Sequence, residues 1–167
     1  MISKQQNISL FNDLQLDKLS MKAYFDRIGY RGEAELNLET VKDLHALHPE
    51  AIPFENIDPL IGVPVDLSLD RVFNKLVEQG RGGFCFEQNI LFGAVLRTLG
   101  FNIVGLSARV FWEIEEGEIR PRDHMLLLLD LNGVSFLLDV GFGSASFSAP
   151  LVLNHKDIQD TGYNQYR

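Results

Sequence analysis

The sequence predicts an α+β fold in which a helical N-terminal half is followed by antiparallel β-strands. Up to Gly100, apolar residues recur at spacings of three and four, the periodicity of amphipathic helices. Beyond Gly100 the chain alternates in polarity, which is typical of strands. An Asn-Gly pair then joins two apolar runs, a strong local signal for a β-hairpin. We therefore divide the chain into residues 1–99 and 100–167.

The composition is that of a globular protein. The 167 residues are 46% hydrophobic and 23% charged, which suits one substantial domain or two small ones. The net charge of -8 argues against a nucleic-acid partner, because phosphate contacts need clustered Lys and Arg. No apolar run approaches the ~18 residues of a membrane span. Met1–Ser20 lacks the apolar core of a signal peptide. We expect no membrane partner and a cytoplasmic location.

Four helices are predicted in the first half, separated by breaks at glycine and proline. They cover Met21–Gly29, Leu38–His48, Ser68–Leu76 and Phe84–Leu99. The second carries an apolar stripe formed by Leu38, Val41, Leu44 and Leu47.

Two prolines, Pro49 and Pro53, are expected to interrupt the second helix, and Ile52–Pro64 reads as a loop or extended crossing. Two histidines of the helix, His45 and His48, fall on its polar part. We expect a solvated or capping role for both of them, and for His155 in the polar tail.

Three strands are predicted in the second half. The first is Asn102–Trp112, and an exposed turn over Glu113–Arg120 follows it. The other two, Met125–Leu131 and Val134–Val140, flank the Asn-Gly pair. A two-residue turn there pairs Leu131 with Val134.

The single cysteine, Cys85, lies where a glycine-rich loop enters a helix. One cysteine excludes an intrachain disulfide and a Cys-rich metal site, and we expect no metal. Unpaired N–H groups in the first helical turn favour negative charge, so a thiol there ionises more readily and could act as a nucleophile. The same N–H groups could stabilise an oxyanion. The alternative is a small buried hydrophobe.

A nucleophilic cysteine needs a base and a group that orients it. His124 opens the first strand of the hairpin, and the predicted register makes Asp139 its diagonal neighbour on the same face. A slip of one residue would turn Asp139 to the opposite face. For Asp139 the alternative is an aspartate at a turn or sheet edge.

Four motifs, in order along the chain, resemble those of the arylamine N-acetyltransferases. Arg81–Asn89 (RGGFCFEQN) resembles the nucleophile motif of that family. The segment before it, Ile52–Asp58 (IPFENID), is similar to the family's loop. His124-Met125 and Asp139–Gly143 (DVGFG) are similar to its histidine and aspartate motifs. The opening helix, YFDRIG, matches too, and the likeness covers about residues 21–151.

The resemblance implies a Cys-His-Asp triad of Cys85, His124 and Asp139. It implies ping-pong transfer of acetyl from acetyl-CoA, through acetyl-Cys85, to an arylamine, arylhydrazine or arylhydroxylamine. His124 would act as base and then acid, with Asp139 fixing its tautomer. The implied fold is a helical bundle followed by an antiparallel β-barrel, with the triad between them as in cysteine-proteinase-like and transglutaminase-like enzymes.

The resemblance also implies substrate contacts. The family's apolar acceptor pocket maps onto Phe54, Val110 and Phe142. The stretch Arg120–Asp123 matches where family members contact CoA and substrate, so we assign Asp123 to the substrate and Arg120, with Gly143, to CoA. The partners expected are therefore an aromatic amine or hydrazine and CoA.

The chain departs from the family pattern at both ends. Met1–Ser20 precedes the usual start, and family members continue past Arg167 into an α/β lid that completes the CoA site. We expect this lid to be absent, the barrel to be incomplete, Thr161–Arg167 to be a strand leading toward the lid, and exposed apolar surface to favour self-association.

Two other functions stay open from the sequence. A thiol hydrolase of peptidase or transglutaminase type shares the order of the three residues. A truncated form could bind CoA, or be acetylated, without turnover.

Overall fold

Helices occupy the chain from Lys18 to Thr98. The structure, a computed structural model, describes residues 14–111, 119–143 and 146–167. The helices are α1 (Lys18–Ile28), α2 (Leu38–Ala51), α3 (Ile57–Leu60), α4 (Leu69–Phe73) and α5 (Cys85–Thr98), and a π-helical turn, Asn74–Glu78, directly follows α4. The four predicted helices are confirmed. The short helix α3 lies inside the segment that was predicted as a loop.

The prediction that Pro49 interrupts α2 is wrong. The helix begins after Asn37, whose side chain accepts the Thr40 N–H, and it continues to Ala51. Proline removes one backbone donor. This proline lies in the last turn, which closes with the bond from Ile52 N to His48 O (2.8 Å).

The described part of the second half contains an antiparallel sheet in the order β1-β2-β3-β4. Its strands are β1 (Asn102–Ala108), β2 (His124–Leu131), β3 (Val134–Leu138) and β4 (Leu151–Val152). The hairpin register is confirmed, because Leu131 pairs with Val134 and Leu127 with Leu138. The first strand ends earlier than predicted, at Ala108; Trp112 of the predicted strand and residues 113–118 of the predicted turn lie outside the described ranges.

The sheet is open in the described residues, so the predicted β-barrel is not closed there. Its strands have seven, eight, five and two residues, and the two-residue β4 is too short to carry the sheet round to β1. A separate pair, β5 (Gln159–Asp160) and β6 (Gln165–Tyr166), forms its own hairpin. The strand predicted over Thr161–Arg167 is therefore reduced to β6.

The helices and the sheet share one hydrophobic core, and α5 packs against β1 and β2. Leu91 and Leu96 of α5 are fully buried, as are Leu127 and Leu129 of β2. The helix that begins at Cys85 and the strand that begins at His124 are therefore fixed relative to each other. No helix in the described ranges is long and apolar enough to cross a membrane.

Candidate active site

The helix that carries Cys85 has a well-braced start. Cys85 is the first residue of α5 and is 8% exposed. The N–H of the preceding residue, Phe84, donates to the Glu87 carboxylate at 3.0 Å. The Cys85 Sγ lies 3.9 Å from the Asp123 carbonyl oxygen, on the segment that leads into β2. The thiol therefore faces the sheet at the start of His124's strand.

A buried ionic cluster holds Glu87 in place. Lys75, from the π-helical turn, lies 2.8 Å from Glu87 Oε1, 2.9 Å from Asp58 Oδ2 and 3.5 Å from Glu55 Oε1. Arg81 lies 2.7 Å from both Glu55 and Asp58. Burial opposes charge on Lys75, but hydrogen bonds from its ammonium to Glu87 and Asp58 raise its pKa. The cluster joins the loop after α2 to the loop that ends at Cys85.

The structure brings His124 and Asp139 into direct contact with each other. His124 Nε2 lies 2.7 Å from Asp139 Oδ2, and both side chains are buried. The Cys85 side chain is a neighbour of the same imidazole, because its interaction with His124 contributes to raising the pKa of that group. Since Nε2 is bonded to Asp139, Nδ1 is the nitrogen available to Cys85. The structure thus shows the predicted contact of His124 with Asp139 and places Cys85 next to the start of His124's strand.

The charge state of His124 follows from this arrangement. Burial lowers the pKa of the imidazole, but the hydrogen bond to Asp139 and the electrostatic interactions with Asp139 and Cys85 outweigh burial and raise the pKa to about 9. The imidazole is therefore protonated near pH 7.

The Asp139 carboxylate oxygen that does not face His124 accepts hydrogen bonds from other groups. Its Oδ1 accepts the Asn89 amide (3.1 Å) and the Gly141 N–H (2.9 Å). The Asp139 backbone N–H donates to His45 Nε2 at 3.2 Å. A buried carboxylate is costly unless it is paired and hydrogen-bonded, and this one is both. Asp139 is therefore not a solvent-facing turn residue.

The predicted solvated or capping role of His45 and His48 is wrong, because both side chains are fully buried. His48 lies between the Tyr24 hydroxyl (2.9 Å from Nδ1) and Gln88 Oε1 (2.8 Å from Nε2). Burial lowers the pKa of His45 to about 4 and that of His48 to about 3. The Gln88 amide in turn donates to the carbonyls of Ile52, Pro53 and Gly83. The two histidines are therefore buried beneath the site, where His45 contacts the Asp139 backbone and His48 contacts Gln88.

Three of the predicted substrate residues lie close to the site. The Phe142 ring packs edge-on against His124, with ring centroids 5.0 Å apart. The carbonyl of Asp123 faces the Cys85 thiol, and its side chain is exposed. Phe54 is 45% exposed and lies beside Gly143, since a Cβ built on Gly143 would be 3.5 Å from the Phe54 ring.

Two other predicted residues, Val110 and Arg120, lie near the end of β1. Val110 is half-buried two residues beyond Ala108, which pairs with His124. The backbone carbonyl of Arg120 accepts the Arg109 guanidinium at 2.7 Å. Within the described ranges, no group of three or more His, Cys, Asp or Glu side chains could hold a metal ion.

A cysteine at a helix start, beside a buried histidine that is hydrogen-bonded to an aspartate, defines a candidate thiol-enzyme site. Residues 37–167 match the protein family described as N-acetyltransferase. The chain is 44% identical over 153 residues to the arylamine N-acetyltransferase of Mycobacterium tuberculosis strain H37Rv, covering 89% of this chain and 54% of that protein. It is 42% identical over 144 residues to the Escherichia coli K12 protein of that name, covering 86% of this chain and 51% of the relative.

Solved structures agree with these matches. The arylamine N-acetyltransferase of Salmonella typhimurium superposes with a TM-score of 0.84 at 38% identity, covering 89% of this chain and 54% of that one. The Mycobacterium marinum protein in complex with CoA superposes with a TM-score of 0.83 at 40% identity, covering 88% and 55%. The chain belongs to the arylamine N-acetyltransferase family. It spans about half the length of the curated relatives it matches.

Proposed function

We propose that the protein transfers acetyl from acetyl-CoA to the nitrogen of an arylamine, arylhydrazine or arylhydroxylamine, with Cys85 as the acetyl carrier. The observation that carries this proposal is the buried His124–Asp139 hydrogen bond with the Cys85 thiol beside the start of His124's strand, in a chain of this family. One relative has been solved in complex with CoA, and the Salmonella typhimurium relative is also named an N-hydroxyarylamine O-acetyltransferase.

In the first half-reaction Cys85 reacts as a thiolate paired with protonated His124. The pKa of His124, raised to about 9, supports this ion pair near pH 7. The thiolate attacks the thioester carbonyl of acetyl-CoA, and N–H groups at the start of α5 are suited to stabilise the oxyanion. When the intermediate collapses, the bond to the CoA sulfur breaks, and the proton of His124 Nδ1 goes to the departing thiolate.

In the second half-reaction His124 acts as a base. The nitrogen of the acceptor attacks the acetyl-Cys85 carbonyl, and neutral Nδ1 takes the proton that the nitrogen loses. The thiolate of Cys85 then leaves, which restores the ion pair. Asp139 holds Nε2 in its protonated form throughout, so that Nδ1 always faces the reacting sulfur.

The acceptor ring is assigned to the side of the site lined by Phe142, Phe54 and Val110. The support is the position of the Phe142 ring against His124 and the exposed Phe54 ring next to Gly143. Asp123 is assigned to the acceptor amine. Arg120 and Gly143 are assigned to CoA, as the family resemblance implies.

Intact-mass spectrometry after incubation with acetyl-CoA alone tests the proposal. We expect the mass of one acetyl group on the wild-type chain, mapped to Cys85 by peptide digestion, and none on Cys85→Ser. Addition of an arylamine should remove the adduct and yield the N-acetylated amine. An unmodified wild-type chain, or an adduct on another residue, would contradict it. Rapid release of acetate in place of amine acetylation would identify a thiol hydrolase.

A further inference from the structure

We propose that Asn89 is a positioning residue that holds all three members of the Cys85–His124–Asp139 series in register. The inference rests on the proposed function, because it assigns a role relative to those residues. Asn89 lies one turn after Cys85 on α5 and is fully buried. Buried amides are retained where each polar atom has a partner, so the identity of these partners indicates what the residue does.

The Asn89 amide contacts each part of the site through a different hydrogen bond. Its Nδ2 donates to the Cys85 carbonyl (3.2 Å), to the Met125 carbonyl (2.9 Å) and to Asp139 Oδ1 (3.1 Å). Met125 is the residue next to His124 on β2. One side chain therefore links the nucleophile's helix, the strand of the histidine and the carboxylate itself.

The orientation of this amide is fixed by its surroundings. Asn89 Oδ1 accepts the Val140 N–H at 3.3 Å, whereas Nδ2 faces three oxygens. Rotating the amide by half a turn would place Oδ1 against those three oxygens and leave the Val140 N–H without an acceptor. The Asn89 NH₂ group thus donates to Asp139 Oδ1, and Asp139 Oδ2 remains available to His124.

The chain after Asp139 passes directly over this contact. A Cβ built on Gly141 would lie 2.8 Å from Cys85 Cα and 2.9 Å from Asn89 Nδ2, so any side chain there would force the segment away from α5. The Gly141 N–H also donates to Asp139 Oδ1 (2.9 Å). The Gly141 N–H and the Asn89 amide therefore both donate to Asp139 Oδ1, and the glycine is what lets the segment come close enough to do so.

The pH dependence of Cys85 alkylation by iodoacetamide tests this role without acetyl-CoA. In the wild type we expect reaction to persist at pH 6, as for a thiolate–imidazolium pair. In Asn89→Ala the carboxylate loses one of the two donors that hold Oδ1, which weakens its hold on His124, so the rate at pH 6 relative to the rate at pH 9 should fall by about tenfold or more. Leu96→Ala is the control, because it removes buried packing from the same helix about two turns after Asn89.

A second variant and a second measurement distinguish the loss of these hydrogen bonds from a loss of folding. Asn89→Asp keeps the side-chain shape but faces Asp139 Oδ1 with oxygen, and it should lower this ratio of alkylation rates as well. Histidine NMR of the folded molecules should show the titration of His124 moving down from about pH 9 in both Asn89 variants. A wild-type profile in folded Asn89→Ala, or a shift of equal size in Leu96→Ala, would overturn the role of Asn89. An ordinary thiol profile in the wild type would instead overturn the Cys85–His124 pair of the proposed function.

Discussion

The two oxygens of the Asp139 carboxylate have separate partners, and this separation predicts the effect of a single substitution. Oδ1 accepts from Asn89 and Gly141, and Oδ2 faces His124 Nε2. In Asp139→Asn the oxygen keeps the two donors, so the new NH₂ group faces Nε2. His124 must then carry its proton on Nδ1, where it cannot accept the proton of Cys85.

We therefore expect Asp139→Asn to fold normally and to acetylate Cys85 roughly 10⁴-fold more slowly, the size of effect seen when a triad aspartate is changed to asparagine. Single-turnover acetylation by acetyl-CoA measures it, and urea unfolding checks the fold. Acetylation within threefold of wild type would remove Asp139 from the mechanism.

The buried histidines predict how stability responds to acid. The pKa values of about 4 for His45 and about 3 for His48 lie below the ~6.5 of an unfolded chain. Between pH ~6.5 and ~4 the unfolded state therefore binds protons that the folded state does not. Stability falls as pH falls, by up to ~1.4 kcal/mol per pH unit for each histidine.

Urea unfolding between pH 4.5 and 6.5 measures this dependence. His48→Gln should reduce the slope by up to ~1.4 kcal/mol per pH unit. Tyr24→Phe removes the hydroxyl bonded to His48 but keeps the imidazole, so it should lower stability and retain the slope. Equal slopes in the wild type and His48→Gln would show that His48 is not buried in its neutral form.

At the scale of elements, the accuracy of the sequence prediction depended on how local each signal was. The Asn-Gly turn fixes the hairpin register within a few residues, so His124 and Asp139 were correctly predicted to face each other. The stripe predicted on α2 followed spacings of three, which drift around a helix with 3.6 residues per turn. Val41 and Leu44 of that stripe are buried, and the buried face also includes His45 and His48, which the stripe left out.

Long-range contacts were beyond such reasoning. Asn89 and Lys75 reach partners that are distant in sequence, and nothing in their local pattern indicates those partners. Closure of the predicted barrel likewise depended on strand pairing far along the chain. The family motifs contain Asn89 and Glu87, and that was the available signal for their importance.

The ionic cluster at the start of α5 makes a prediction for that element. Lys75 has an 11% exposed side chain and faces Glu87, Asp58 and Glu55. Lys75→Met should leave the buried Glu87 carboxylate without a counter-charge, since Arg81 still pairs with Glu55 and Asp58, and should lower the free energy of unfolding by ~3–5 kcal/mol.

The matched control is Lys22→Met, which removes an exposed pair with Asp26 and should change the free energy of unfolding by ~1 kcal/mol or less. Urea unfolding at pH 7 compares the two variants. Equal losses would show that the cluster around Lys75 does not brace α5.

In the described part of the molecule, five of the exposed apolar side chains fall in one segment between α2 and α4. The segment from α3 to the start of α4 exposes Ile57, Leu60, Ile61, Val63 and Val65. Such patches favour association in water. We expect concentration-dependent self-association by sedimentation velocity, reduced in the double variant Leu60→Asp, Ile61→Asp.

Leu19→Asp provides the control for this prediction. Leu19 and Leu60 are each 79% exposed, but Leu19 lies on α1 outside the apolar segment. Equal sedimentation of wild type and double variant, or equal loss of association in Leu19→Asp, would exclude this segment as the contact.

Isolation of the acetylated chain tests directly whether Cys85 carries the acetyl group between two substrates. The chain is incubated with acetyl-CoA labelled in the acetyl group, freed from CoA by gel filtration, and then mixed with an arylamine. We expect the label to stay on Cys85 through filtration and then to appear in the N-acetylated amine, one equivalent per chain, with no CoA present. Label that leaves with CoA during filtration, or that never reaches the amine, would exclude Cys85 as the acetyl carrier.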